Sequence, residues 1–303
     1  MQGLRLFCGL ALVLSTPVAA AVPVVATDIP PVHSIAARVM QGVGEPGLIL
    51  PPGASPHGYS LRPSEAQLLS DADIVVWIGP ALTPWLADPI DVLAPDAKRV
   101  TLTDAPGVVT LPVRTGAFEP DADAPHPPIG GTAPDGHLWL DPENAVAFAG
   151  AIGAALAAAD PEHAAAYLAN VEAFATETAA EEGEIAARVA PLRGRPYLVF
   201  HDAYQYFEHR FDLPAAGSVE LQDGVTPGTA RVAAIRDRVL KGGIQCAFSE
   251  PEFEPKLLYT VTEGTPVRLG VLDGLGSSLP PGPALYPALL EGIATSLEEC
   301  LGG

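Results

Sequence analysis

The chain has 303 residues, of which 36 are Asp or Glu and 16 are Lys or Arg, for a net charge of −20. So large an excess of acid argues against nucleic acid and anionic membrane surfaces as partners. It favours solubility, with at most a weak and unselective pull on cations. The length is too great for one small core and suits two lobes.

The first 21 residues read as a signal peptide. Met1 to Arg5 is a short, positively charged start, residues 6–14 are apolar, and Ala19-Ala20-Ala21 offers an A-x-A cleavage site. The apolar run is too short to span a bilayer, and no later segment is expected to be apolar for long enough. Cys8 lies inside the run without a lipoprotein pattern. The mature protein is therefore expected to start near Val22, soluble and exported into a bacterial periplasm. Loss of Cys8 leaves Cys246 and Cys300, and an even pair in an oxidising compartment predicts a disulfide. Chain-entropy arguments put such a cross-link at roughly 4 kcal/mol, less any strain. A cysteine metal pair fails on spacing, since neither residue lies near a His or a second Cys.

Short aliphatic runs predict strands at 22–26, 48–50, 74–78 and 100–102 in the first half. The second half has matching runs at 197–200, 215–219, 246–248 and 267–271. Four and four, alternating with helical periodicity, predict an α/β fold of two lobes, each with a mainly parallel four-stranded sheet. Ser64-Glu65-Ala66-Gln67 reads as a capping box, and Asp141-Pro142 and Asp160-Pro161 each place an acid before a proline at a helix start. A long helix is expected from Pro161 to about Val189. Tyr167, Val171, Phe174, Thr178, Ile185 and Val189 form its apolar stripe, and its rod would be roughly 43 Å long. The predicted organisation is a first lobe over 22–159, a linking helix over 160–190 and a second lobe over 191–303. Residues 112–136, rich in Pro and acid, lack periodicity and read as a mobile loop.

Four polar residues stand where open α/β sheets gather ligands, past the carboxyl ends of strands or in the loops beside them. His201 follows 197–200, Asp273 follows 267–271, His57 follows 48–50 and the Pro51-Pro52-Gly53 turn, and His137 lies between the long loop and a capped helix. Three imidazoles and a carboxylate make a tetrahedral donor set suited to zinc. Manganese sites prefer more oxygen ligands, and copper(II) would also bind imidazole strongly. His33, His163 and His209 read as ordinary structural or surface residues, while His126 is ambiguous in the loop.

Several ordered segments resemble the zinc-specific periplasmic solute-binding proteins of ABC importers. They are Pro52-Gly53-Ala54-Ser55-Pro56-His57-Gly58-Tyr59, Asp71-Ala72-Asp73-Ile74-Val75-Val76-Trp77, Gly136-His137-Leu138-Trp139-Leu140-Asp141-Pro142, Phe200-His201-Asp202-Ala203-Tyr204 and Leu272-Asp273-Gly274-Leu275-Gly276. The likeness runs over essentially the whole mature chain and includes the Cys246 and Cys300 pair. It implies two four-stranded lobes joined by a long rigid helix, with metal held in the cleft by His57, His137 and His201. Some relatives carry Glu before the first His; here that residue is Pro56, which leaves Asp273 or a water as the fourth ligand, with Asp273 preferred. The relatives' His-rich loop is represented only by His126. The resemblance implies a non-enzymatic protein that hands Zn2+ to an inner-membrane ABC permease, and a monomer is expected. One alternative keeps the fold and changes the ion to manganese or iron. Another is a zinc hydrolase, but there is no H-E-x-x-H helix, and Glu250 reads as structural rather than as a base.

Overall fold

The structure is a computed structural model and describes residues 21–114, 133–220, 228–241 and 243–303. The expected signal peptide over 1–21, apart from Ala21, and His126 in the segment expected to be a loop lie outside the described residues.

The first sheet is built from β1 (Val25–Thr27), β2 (Gly47–Leu48), β3 (Ile74–Trp77) and β4 (Lys98–Thr101), ordered β2-β1-β3-β4 and parallel throughout. The second repeats the plan with β5 (Tyr197–His201), β6 (Gly217–Glu220), β7 (Cys246–Ser249) and β8 (Arg268–Val271), ordered β6-β5-β7-β8. Each predicted strand is present, shifted by three residues at most at either end. The central strands β3 and β5 are buried along their whole length, as a sheet covered on both faces requires.

In the first half the helices are α1 (Pro30–Val39), α2 (Pro63–Ser70), α3 (Ala87–Leu93), α4 (Pro142–Ala159) and α5 (Ala164–Val189). The second half carries α6 (Gln205–Phe211), α7 (Thr229–Lys241), α8 (Lys256–Thr262) and α9 (Leu285–Leu301). The Asp141 cap forms as expected, its carboxylate accepting the N–H of Glu143 at 3.0 Å. Two other expected caps are displaced. At α2 the helix starts at Pro63, and Glu65 reaches back to the N–H of Arg62 at 2.7 Å, so the box lies two residues earlier than Ser64 suggested. At α5 the carboxylate of Asp160 takes His163 Nδ1 at 2.7 Å and the hydroxyl of Tyr167 at 2.9 Å. Residues 161–163 therefore form a turn, and the 26-residue helix begins at Ala164. His33 lies within α1.

The long helix buries Tyr167, Phe174, Thr178, Ile185 and Val189. Its Val171 nests against Gly153 of α4, where a Cβ would come within 2.5 Å of the Val171 methyl, so only glycine lets the two helices approach so closely. By length and composition α4 is apolar enough to cross a membrane, which the sequence reading did not anticipate. Its apolar residues pack instead: Phe148, Ile152 and Leu156 are fully buried against the rest of the core. That core is continuous, running from Val25 and Ile35 through Tyr167 and Ile185 to Tyr286 and Leu297. Both lobes therefore share it. Tyr286 on α9 makes the tie specific: its N–H donates to Ser34 Oγ in α1, and its hydroxyl donates to the Trp139 carbonyl, both at 2.9 Å. The predicted disulfide joins Cys246 in β7 to Cys300 in α9, with Cα atoms 6.1 Å apart.

Candidate metal centre

Each histidine is delivered by a different local device. Pro51-Pro52-Gly53-Ala54 forms a turn closed by Ala54 N–H on the Pro51 carbonyl at 3.2 Å, with Gly53 at φ +81°. Proline second and glycine third is what a type II turn demands. The chain then runs to Pro56, whose carbonyl accepts the indole N–H of Trp85 at 2.7 Å, and this sets the backbone of His57. His137 opens a 3-10 turn over Leu138–Leu140 and lies next to Gly136, which packs against the Ala81 carbonyl too closely for any Cβ. His201 is the last residue of β5, at the carboxyl end of a central strand.

The three rings meet. His57 Nε2 and His201 Nε2 each lie 3.2 Å from His137 Nε2, and ring centroids are 4.9–5.5 Å apart. One ligand atom from each lies within 4.8 Å of the others. Four ligands at about 2.0–2.1 Å around a tetrahedral zinc stand roughly 3.3–3.4 Å from one another, so the spacing matches that of a coordination shell. His137 and His201 are 7% and 6% exposed, and His57 is half-buried. The cavity they border measures about 20 Å³, room for one ion or one water.

The outer nitrogens explain the inner ones. His137 Nδ1 lies 2.7 Å from Asp135 Oδ1, and His201 Nδ1 lies 3.1 Å from Glu250 Oε2. A carboxylate only accepts, so each Nδ1 carries a proton, and in the neutral ring this leaves the lone pair on Nε2. Two lone pairs 3.2 Å apart repel unless a cation stands between them. Burial, and after it the neighbouring imidazoles, push His57 down to about 2, so its ring is neutral, the form that binds metal. At Asp135 burial pushes upward, but its pairing with the His137 imidazole and the hydrogen bonds from His137 and Gln205 outweigh it and leave the carboxyl below its ordinary range.

Asp273 is not brought into this group. Its two oxygens accept the backbone N–H groups of Ser277 at 2.8 Å and Ser278 at 2.9 Å, although the next residues, Gly274 and Leu275, line the cavity. His209 is exposed, as expected. His33 Nε2 lies 3.1 Å from the Pro46 carbonyl, and His163 pairs with Asp160. Three acids take places at the centre that sequence reasoning did not give them: Asp135, Glu250 and Glu252. Glu252 lines the cavity and accepts the Ser277 hydroxyl; burial, offset in part by that bond, pushes it up to about 7. The available signal was positional, since Asp135 stands two residues before His137 and Glu250 closes β7 beside β5.

The family model of ZnuA, described as zinc-uptake complex component A, periplasmic, matches residues 24–300. The chain is 41% identical to the high-affinity zinc uptake system protein ZnuA of Brucella abortus (strain 2308), with 91% of each chain covered. It is 38% identical to the protein of that name from Paracoccus denitrificans (strain Pd 1222), with 94% of each covered. A crystal structure of ZnuA superposes with a TM-score of 0.77 over 92% of this chain and 99% of the other, at 21% identity, which speaks to the fold. Matched by the family model over nearly its whole described length, and with three convergent imidazoles at its centre, the chain belongs to the ZnuA family, the periplasmic component A of the zinc-uptake complex.

Proposed function

We propose that the protein captures Zn2+ in the cleft between its lobes and delivers it to an inner-membrane ABC permease. It acts as a binding protein and not as an enzyme. His57 and His137 come from the first lobe (22–159), His201 and Asp273 from the second (191–303), and the segment 160–190 holds the lobes together. Residues 1–21 are removed on export to the periplasm, and the mature chain works as a monomer without nucleic acid.

The observation that carries this reading is the convergence of three imidazoles, two of them held by carboxylates at their outer nitrogens. Asp273 supplies the fourth ligand by exchanging its bond to Ser277 or Ser278 for the metal, a short movement because Gly274 and Leu275 already border the cavity. Zinc is favoured over manganese because the donor set is rich in imidazole nitrogen. A hydrolase needs a base facing the metal-bound water. Glu250 lines the cavity but is engaged by the backbone N–H and the ring Nδ1 of His201.

Metal analysis of mature protein purified without added metal tests the reading. About one zinc per chain is expected. Stoichiometric manganese or iron, or protein that takes up no zinc on titration, would overturn it.

A further inference from the structure

We propose that Asp135 and Glu250 are positioning residues of the metal centre: each fixes the tautomer and heading of one ligand imidazole, and the dication offsets the cost of burying their charges. This rests on the zinc-site reading above.

The two carboxylates grip their histidines in the same way from unrelated places in the chain. Asp135 Oδ1 accepts both the backbone N–H of His137 at 2.9 Å and its ring Nδ1–H at 2.7 Å. Glu250 Oε1 accepts the backbone N–H of His201 at 3.1 Å, and Oε2 lies 3.1 Å from the ring Nδ1. A carboxylate bonded to both backbone and ring of one residue leaves that ring no freedom to rotate about χ1 and χ2. Its Nε2 is thereby aimed at one point, and its lone pair is kept there by the proton on Nδ1.

Charge gives the second half of the argument. Asp135 and Glu250 are each 5% exposed. Two carboxylates buried against neutral imidazoles are only partly compensated, and such burial is costly without an opposite charge nearby. A dication on the far side of the rings supplies it. The dication offsets the charge of both carboxylates through the rings that they hold.

Asp135 also crosses the cleft. Its Oδ2 accepts the amide of Gln205 in α6 at 2.8 Å, and its carbonyl accepts the hydroxyl of Tyr206 at 2.9 Å. The ligand of the first lobe is thus aimed by a group fastened to the second.

The test uses mature protein bearing Asp135→Asn or Glu250→Gln, with zinc affinity read against a competing chromogenic chelator. Each variant is expected to bind zinc about 10- to 100-fold more weakly. The amide oxygen still accepts from the backbone, so a residue that only shapes the loop would leave the affinity at the wild-type value. The visible d–d absorption of the cobalt(II)-loaded variants is expected to shift as the rings lose their heading. Gln205→Ala, which trims a partly exposed side chain and removes its bonds to Asp135 and to the Pro112 carbonyl, tests the Asp135 arm and is expected to weaken zinc severalfold. Wild-type affinity and an unchanged cobalt spectrum in the carboxylate variants would overturn the proposal. His201→Ala, measured in parallel, separates the two readings. If it too binds like wild type, the metal site itself is misassigned; if it alone loses zinc, only the positioning role fails.

Discussion

The indole N–H of Trp139 donates to the carbonyl of Gly274 at 2.7 Å, joining the residue two places after His137 to the residue directly after Asp273. The Trp139 ring also lies 5.4 Å from that of His137. It is therefore both a strut across the cleft and a reporter of the site. Zinc titration of the wild type is expected to change the tryptophan emission. Trp139→Phe is expected to abolish most of that change and to weaken zinc binding severalfold, because a lost buried hydrogen bond costs about 1–3 kcal/mol. An unchanged fluorescence response in the variant would show that Trp85 or Trp77 is the reporter.

Asp28 gives the fold a pH signature. It is fully buried behind β1, and its carboxylate takes the N–H groups of Ile29 at 2.9 Å and Ile78 at 2.8 Å. Burial outweighs these bonds and pushes it up to about 7 from 3.8. The folded state then holds a proton that the unfolded chain releases, so this contribution to stability is complete below the unfolded value and is lost as pH rises toward 7. Urea unfolding of the wild type should show stability falling between pH 5 and 7 by on the order of 2 kcal/mol from this group. Asp28→Asn should remove that slope, whatever it does to the absolute level; a slope that survives the substitution would assign the effect elsewhere.

Arg114 holds a second buried pair of acids. Its Nη1 lies 2.6 Å from Glu208 Oε2 and its Nε lies 3.0 Å from Asp202 Oδ2, with the two carboxylate side chains 3% and 9% exposed. Arg114→Met would strand both charges. The expected loss at pH 7 is on the order of 2–4 kcal/mol, the lower end reflecting a guanidinium about a third exposed to water. Burial already raises Glu208, with Arg114 offsetting part of the shift. Removing Arg114 raises it further, so the variant should regain stability as pH falls and the folded state takes up a proton. Denaturation midpoints at pH 5.5 and 7.5 check both size and sign.

The Cys246–Cys300 bridge closes a loop of 54 residues behind the second sheet, away from the histidines. Reducing it, or making Cys246→Ser with Cys300→Ser, should lower stability by about 2–4 kcal/mol and reduce Tm. Zinc stoichiometry should be unchanged. Loss of zinc binding with an intact circular dichroism spectrum would instead tie the bridge to the site.

The strands and His201 were legible because both follow from local pattern: short aliphatic runs must be buried, and the residue emerging at a strand's carboxyl end faces the ligand cleft; His57 and His137, in loops, were legible chiefly through the motifs around them. The roles of Asp135 and Glu250 were not legible. Glu250 meets His201 only because β7 pairs in parallel with β5, a neighbour relation that no spacing along the chain encodes. Asp135 looks like one more loop acid until α6 supplies Gln205. Asp273 shows the opposite limit. Its position past β8 was read correctly, yet side chain-to-backbone bonds with Ser277 and Ser278 compete for its oxygens. Asp160 likewise bonds a nearby histidine and tyrosine and does not cap α5.

X-ray absorption at the zinc edge of the loaded mature protein tests the central claim most directly. Three imidazole nitrogens at about 2.0–2.1 Å are expected, with one oxygen completing the shell and no sulfur. A shell with fewer than three imidazoles, or one containing sulfur, would contradict the convergence of His57, His137 and His201 on a single ion.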